Sequence, residues 1–285
     1  MDILLVPGLW LDASSWSDVT APLVANGHRV HPLTMPGTGA PASESDEIGI
    51  DDWVGAVVRE IDAATHPVVL IGHSGGGNVV YAAADRRPHA VAHVILLDTF
   101  PPVPGAGISD FPVVDGVVPF PGWEFFDEDD VADLSPEVRA RAGARTSSVP
   151  RHVPTDALRL TDERRRGVPV TIVTGTVPAN VIREIAADPA PWAAELAAVE
   201  DLRIIQLHDD GAPGGHWPQF SAPERTARAL LEAVRETPRR PRRGVRAPGG
   251  SVTHAEAAVD RDHGAGDVGG RVGGEPRNHT GDLIG

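Results

Sequence analysis

Cysteine and lysine are both absent from this sequence of 285 residues. Without cysteine the chain can form no disulfide, no thiolate metal site and no cysteine nucleophile. All 25 basic residues are therefore arginines, and 40 acidic residues outnumber them, which gives a formal net charge of −15. This excess of negative charge argues against a broad surface that binds nucleic acid.

Long apolar runs are absent as well. No run approaches the roughly 20 residues that a membrane-spanning helix requires. The first six residues, Met1 to Val6, lack the basic region and the small-residue cleavage site of a secretory signal. We therefore expect a cytoplasmic protein with no membrane partner. The hydrophobic fraction of 41% nevertheless suffices for a sizeable core.

The last part of the chain, residues 238–285, differs in composition from the rest. It contains eight arginines, six acidic residues and eleven glycines, with few large apolar side chains. Such a segment cannot bury enough apolar surface to offset the entropy lost on ordering. The alternative is a basic tether to nucleic acid or acidic membrane, but only five arginines cluster, between Arg239 and Arg246. The composition predicts a domain at 1–237 followed by a disordered Gly/Arg-rich tail at 238–285.

Strand and helix patterns alternate along residues 1–237. Six apolar runs are typical of strands: 3–6, 29–33, 68–71, 94–97, 170–173 and 203–207. Helical patterns occupy 15–26, 50–64, 76–86, 182–187, 192–198 and 224–236. Several of the strands are continuously apolar, as parallel strands buried on both faces are. The order predicts an α/β fold, a doubly wound and mostly parallel sheet with helices on both faces.

Residues 101–167 interrupt this alternation. They are rich in proline, glycine and acidic residues, with short helices predicted at 127–134 and 136–142. We interpret the segment as a lid inserted over the carboxyl edge of the sheet, where open α/β folds bind ligands. Five of the six phenylalanines and one tryptophan lie in or beside it: Phe100, Phe111, Phe120, Phe125, Phe126 and Trp123. They either line an apolar pocket or form the core of the lid itself.

The pentapeptide Gly72-His73-Ser74-Gly75-Gly76 follows a buried strand and opens a helix. It matches G-x-S-x-G, a tight turn that exposes a nucleophilic serine. Side chains at Gly72 and Gly76 would collide with neighbouring backbone in such a turn. The helix N-terminus beside Ser74 favours a developing oxyanion. The alternative is a glycine-rich turn that only packs or binds phosphate, but the first strand lacks a dinucleotide fingerprint and no Walker motif is present.

With these motifs the chain resembles the α/β-hydrolase superfamily over about residues 1–237. It is similar to small esterases and to plant methylesterase and hydroxynitrile-lyase relatives. The resemblance rests on four segments in the same order as in that superfamily, namely residues 6–10, 33–37, 72–76 and 215–217. It implies the α/β-hydrolase fold and a triad in the chain order serine, acid, histidine.

The resemblance also assigns the general base and the oxyanion hole. His216 lies in a Gly-Gly-His-Trp loop where this superfamily carries its catalytic histidine, whereas His208 closes a strand and is expected to be structural. His73 is expected to point away from the nucleophile. By motif match, the N–H groups of Leu9 and Gly75 form the oxyanion hole.

The triad acid is harder to assign. The usual position in the superfamily follows strand 170–173, but residues 174–180 contain no carboxylate. Some members place the acid after the preceding strand, and here Asp98 follows the strand at 94–97 directly. We assign Asp98, with Asp209 and Asp210 as the next candidates and Glu124 as a more distant one.

Together these residues predict a serine hydrolase that cleaves a carboxylic ester or lactone of a small, fairly apolar molecule. Candidate substrate-binding residues are Trp10, Phe100, Trp123 and Trp217. We expect no cofactor and no metal, since the sequence has neither cysteine nor a helical His-x-x-x-His motif. Two alternatives remain open: a lyase or cofactor-free oxygenase on the same fold, and a ligand-binding protein with little turnover. The oligomeric state stays open.

Overall fold

The computed structural model describes residues 1–208 and 214–238. In chain order its strands are β1 (Asp2–Val6), β2 (Arg29–Pro32), β3 (Val68–His73), β4 (Val91–Leu97), β5 (Val117–Val118), β6 (Val149–Pro150), β7 (Val170–Thr174) and β8 (Leu202–Gln206). Six of them form one sheet in the order β2-β1-β3-β4-β7-β8, and every neighbouring pair in it is parallel. Strands β5 and β6 form a separate antiparallel pair.

Ten α-helices accompany these strands within the described residues. They are α1 (Ser17–Ala25), α2 (Ala42–Ser45), α3 (Ile50–Ala63), α4 (Gly75–Arg86), α5 (Glu128–Val131), α6 (Pro136–Gly143), α7 (Ala179–Ala187), α8 (Ala194–Ala198), α9 (Pro218–Ser221) and α10 (Pro223–Arg235). In the part of the chain that the structure covers, no helix combines the length and the apolar character needed to cross a bilayer.

Both faces of the sheet are covered, and the residues of β1 show how. Ile3 and Leu5 join a buried cluster with the side chains of α1 and α10. Leu4 joins a second cluster, on the opposite face, with residues of α3 and α4. Successive side chains of a strand point to opposite faces, so a strand buried on both sides must be apolar at every position. The doubly wound parallel sheet predicted from the apolar runs is confirmed.

All six predicted strands of the sheet are present in the predicted order, and each predicted helix overlaps an observed one. The α-helices and strands that the sequence patterns did not indicate are short: α2, α9 and the β5–β6 pair. Residues 101–167 lie between β4 and β7 and include β5, β6, α5 and α6. The interpretation of this segment as a lid stays a prediction. The predicted tail lies outside the described residues from residue 239 onward.

A buried ionic cluster fixes the end of the 101–167 segment to the domain. Arg165 contacts Asp85 of α4 at 3.1 Å and Glu195 of α8 at 2.8 Å, and all three side chains are 2% exposed. Tyr81 of α4 donates a hydrogen bond to Glu195 at 2.9 Å. Asp85 also accepts the backbone N–H groups of residues 161 and 162. Every charge in the cluster is therefore paired, as buried charges must be.

Candidate active site

The carboxyl ends of β1, β3, β4 and β7 meet at one edge of the sheet because these strands are parallel neighbours. The backbone ladders continue into the loops: the N–H of Ser74 donates to Leu97 at 3.1 Å, and that of Asp98 donates to Val173 at 2.8 Å. These bonds bring the residue after β3 next to the end of β4, and the residue after β4 next to the end of β7. This edge is where open α/β sheets bind ligands.

Ser74 occupies the turn between β3 and α4 in a strained backbone conformation, with φ of +51°. The glycines around it are required by close approach. A Cβ at Gly72 would lie 2.5 Å from the carbonyl oxygen of Gly76, and a Cβ at Gly76 would collide with the carbonyl of Pro7. Trp10 and Asp98 also have positive φ, at +64° and +50°. Strain of this kind collects at functional sites.

Ser74, His216 and Asp98 form one chain of hydrogen bonds. The Nε2 atom of His216 lies 2.8 Å from the hydroxyl oxygen of Ser74, and its Nδ1 lies 2.7 Å from Oδ2 of Asp98. All three residues are at most 7% exposed. Because a carboxylate only accepts, Nδ1 carries the proton and Nε2 is left to accept the serine hydroxyl. This arrangement can take a proton from Ser74.

The carboxylate of Asp98 accepts further hydrogen bonds from the loop after β7. The N–H groups of Gly175 and Thr176 donate to Oδ1 at 2.8 and 3.0 Å. The Thr176 hydroxyl lies 3.1 Å from both carboxylate oxygens. Burial by itself raises the pKa of Asp98, but the hydrogen bond and charge of His216 and the two N–H groups outweigh it. The pKa therefore lies below its ordinary value.

Of the other candidates for the acid, the structure describes one. Asp209 and Asp210 lie outside the described residues. Glu124 is exposed. The loop after β7, where the sequence lacks the expected carboxylate, supplies hydrogen-bond donors to Asp98 instead.

Two buried contacts hold the backbone of His216. Its N–H donates to the carbonyl of Asp130 at 2.8 Å. Its carbonyl oxygen lies 2.7 Å from Nε2 of His73, whose Nδ1 lies 3.2 Å from the side-chain nitrogen of Gln219. Burial lowers the pKa of His73 to about 3, so its ring is neutral and donates through Nε2. His73 therefore positions the backbone of His216, a contact that the sequence analysis missed.

The Asp130 carboxyl lies near the same histidine. Its burial raises its pKa to about 6; the charge of His216 opposes that rise and the charge of Asp98 adds to it. The structure thus places a second carboxyl group, which sequence reasoning did not single out, within electrostatic range of His216. In the sequence, Asp130 was visible only as part of the acidic run at 124–130.

Leu9 and Gly75 lie beside each other above the turn. A Cβ at Gly75 would lie 3.1 Å from Cγ of Leu9. Gly8 allows the β1 loop to approach, since a Cβ there would lie 3.0 Å from Cβ of Ser74. Gly75 is the first residue of α4, so its N–H has no partner within the helix and is available to a ligand. The two residues predicted to supply the oxyanion donors therefore lie at the turn of Ser74.

An aromatic cluster extends from the 101–167 segment to His216. The rings of Trp10 and Phe111 are 4.7 Å apart, those of Phe126 and Trp217 are also 4.7 Å apart, and Trp123 packs on Trp217 at 5.1 Å. Of the predicted substrate-binding residues, Trp10, Trp123 and Trp217 belong to this cluster. Phe100 contacts a different ring, Trp192, at 6.0 Å.

The sequence matches the profile of the alpha/beta hydrolase family over residues 3–229. The chain belongs to the alpha/beta hydrolase family. The resemblance inferred from the motifs is thereby confirmed.

Among curated proteins, this alpha/beta hydrolase is similar to the esterase PIR7B of Oryza sativa subsp. japonica, with 36% identity over 106 residues. That alignment covers 36% of this chain and 40% of the rice protein. It is 34% identical, again over 106 residues, to a carbendazim hydrolyzing esterase of Nocardioides sp. (strain SG-4G), covering 36% of this chain and 44% of that protein. The chain thus spans about two fifths of the length of these relatives.

Among solved structures, the fold is similar to an extracellular alpha/beta-hydrolase from a Paenibacillus species, with a TM-score of 0.63. The superposition covers 82% of this chain and 98% of that chain, at 18% sequence identity. At this identity the likeness concerns the fold.

Proposed function

We propose that this alpha/beta hydrolase is a serine hydrolase that cleaves a carboxylic ester or lactone of a small, fairly apolar molecule. One observation carries the proposal: the continuous hydrogen-bond chain from Ser74 through His216 to Asp98, at the carboxyl edge of the sheet. The esterase names of the two curated relatives support the reaction class.

In the first half of the reaction, His216 accepts the hydroxyl proton of Ser74 at Nε2 while the serine oxygen attacks the substrate carbonyl carbon. The carbonyl π electrons move onto oxygen, and the N–H groups of Leu9 and Gly75 donate to that oxyanion. The imidazolium that forms is stabilised by Asp98, which remains ionised. When the tetrahedral intermediate collapses, His216 gives its proton to the departing alkoxide, which leaves as the alcohol.

In the second half, water attacks the acyl group on Ser74 and gives a proton to His216. The second tetrahedral intermediate collapses, and His216 returns its proton to the Ser74 oxygen as the acid is released. For a lactone the alcohol stays attached to the acyl chain, and the product is one hydroxy acid. The cycle consumes one water and requires neither a cofactor nor a redox step.

The surroundings of the site favour an uncharged, apolar substrate. Trp10, Trp123 and Trp217 belong to the aromatic cluster beside His216, and together with Phe100 we assign them to substrate binding. The acidic run at 124–130 would repel an anionic substrate. The indole N–H of Trp10 is buried without a hydrogen-bond partner among the described residues. It is a donor that a substrate oxygen would satisfy.

The test is labelling with a serine-directed fluorophosphonate, combined with assays on short p-nitrophenyl esters. The parent protein should be labelled and should turn over the esters, whereas Ser74→Ala should do neither. Ser15→Ala is the matched control, because that buried hydroxyl donates to the nearby carbonyl of Asp12 at 2.7 Å. It should behave as the parent does.

Absence of labelling in the parent would contradict a nucleophilic role for Ser74. Labelling without turnover of any ester or lactone would contradict the hydrolase assignment and favour a lyase, a cofactor-free oxygenase or a binding protein on the same fold.

A further inference from the structure

The turn after β7 contains no carboxylate, yet among the described residues it makes the most hydrogen bonds to Asp98. We propose that Thr176 is a positioning residue, which acts through Asp98 to set the basicity of His216. The inference rests on the proposed function, because it assumes that His216 is the general base. It extends that proposal to a residue whose observed contacts are with Asp98.

Thr176 contacts Asp98 through both its backbone and its side chain. The N–H lies 3.0 Å from Oδ1, and the hydroxyl oxygen lies 3.1 Å from Oδ1 and from Oδ2. An ionised carboxylate has no proton to donate, so the threonine hydroxyl must be the donor. Since Oδ2 is also the acceptor for Nδ1 of His216, Thr176 and the imidazole share the same carboxylate.

The turn is built to present these donors. The Thr174 hydroxyl donates to the carbonyl of Val177 at 2.7 Å and accepts the Val177 N–H at 3.2 Å, which closes the turn. Between them, the N–H groups of Gly175 and Thr176 face Asp98. A Cβ at Gly175 would lie 2.6 Å from the carbonyl oxygen of Gly215, so only glycine fits between Asp98 and the loop of His216.

Among the described residues, few elements place titratable groups near Asp98 and His216. From β3 comes His73, whose burial keeps it neutral. From α5 comes Asp130, with Asp127 and Asp129 near it, and burial raises its pKa to about 6. Just after α5 comes Asp133, whose carboxylate accepts the Ser221 hydroxyl and would collide with a Cβ at Gly215, the residue before His216. The turn after β7 contributes only uncharged donors, through residues 175 and 176.

Each donor to Asp98 draws charge away from the oxygen that faces His216. Without the Thr176 hydroxyl, more of that charge remains on Oδ2, the imidazolium is better stabilised, and His216 holds its proton to higher pH. In mildly acidic solution His216 is then protonated and cannot accept the serine proton, whereas in alkaline solution it is neutral and can. The loss of activity therefore depends on pH.

The experiment compares kcat/KM for p-nitrophenyl acetate from about pH 5.5 to about pH 9 in the parent, Thr176→Val and Thr176→Ser. Valine removes the hydroxyl but keeps the shape and the backbone N–H, and serine restores the hydroxyl. Thr171→Val is the matched control, because this buried β7 hydroxyl bonds His93 at 2.9 Å instead of Asp98.

In Thr176→Val the apparent pKa of the acidic limb should rise by about half a unit to one unit, which lowers kcat/KM there by about 3- to 10-fold. The loss should shrink to less than about 2-fold on the alkaline plateau. Thr176→Ser and Thr171→Val should keep the limb of the parent. An unchanged profile in Thr176→Val, or an equal loss at every pH, would overturn the proposal.

A second measurement does not depend on ester turnover. The proton between Nδ1 of His216 and Asp98 should give a far-downfield NMR resonance that is absent from His216→Ala. Its titration midpoint should rise in Thr176→Val, or in Thr176→Ala should the valine variant not fold. If the parent cleaves no ester, the proposed function is contradicted, whatever the NMR titration shows for Thr176. An unchanged midpoint overturns the role of Thr176 instead.

Discussion

Asp98→Asn provides the sharpest test of the triad, because the contacts of the carboxylate constrain how the amide can be placed. Oδ1 accepts the N–H groups of Gly175 and Thr176, so the amide oxygen must take that position. The amide NH₂ then faces Nδ1 of His216, which must become an acceptor. The ring proton moves to Nε2, and the histidine can no longer accept the proton of Ser74. The reverse orientation would oppose the NH₂ to two backbone donors.

The magnitude follows from this geometry. The wrong tautomer removes the general base while leaving the serine, the oxyanion donors and the substrate site in place. Removal of the carboxylate at a buried triad lowers kcat by about 10⁴-fold. That factor corresponds to about 5.5 kcal/mol of lost transition-state stabilisation. KM should change little, since Asp98 does not contact substrate.

The assay is steady-state hydrolysis of p-nitrophenyl acetate, together with the free energy of unfolding in urea as a check of the fold. Asp130→Asn is the matched control, because it removes a partly buried carboxyl charge near His216 and keeps the contacts of Asp98. It should retain activity within about one order of magnitude. Near-normal turnover in Asp98→Asn would refute the reasoning, and a large loss in Asp209→Asn or Asp210→Asn would then identify the acid.

Two predictions concern stability. Glu195→Gln removes one of the two carboxylates that pair with the buried Arg165. It should lower the free energy of unfolding in urea by about 3 kcal/mol. Glu163→Gln, at a pair whose glutamate is 79% exposed, should cost less than about 1 kcal/mol, and equal losses would contradict the first estimate. Burial lowers the pKa of His93 in the folded protein to about 4. Between about pH 6.5 and that value, the unfolded chain therefore binds a proton at His93 that the folded protein does not bind. Stability therefore decreases with falling pH in that window, and His93→Gln should reduce the slope by about 1.4 kcal/mol per pH unit; an unchanged slope would show that His93 is not buried in its neutral form.

The local pattern of the sequence was sufficient to predict the strands of the sheet and the tight turn at Ser74. Strands such as β1 and β3 are apolar at nearly every position because both of their faces are buried. That requirement is visible without knowledge of the fold. The Ser74 turn is equally local: its glycines are needed because backbone within a few residues, and the loop after β1, approach too closely for a side chain. Composition and periodicity record such constraints directly.

The hydrogen-bond partners of Asp98 depend on tertiary structure. Asp98 and His216 are 118 residues apart in the chain, and Asp98 and Thr176 are 78 apart. They meet because β4 and β7 are parallel neighbours whose carboxyl ends lie side by side. From the sequence, residues 174–180 were only a place where a carboxylate was missing. The fold shows this turn as a set of donors, because hydrogen bonds between loops depend on which strands pair, and that pairing is decided by the packing of the whole sheet.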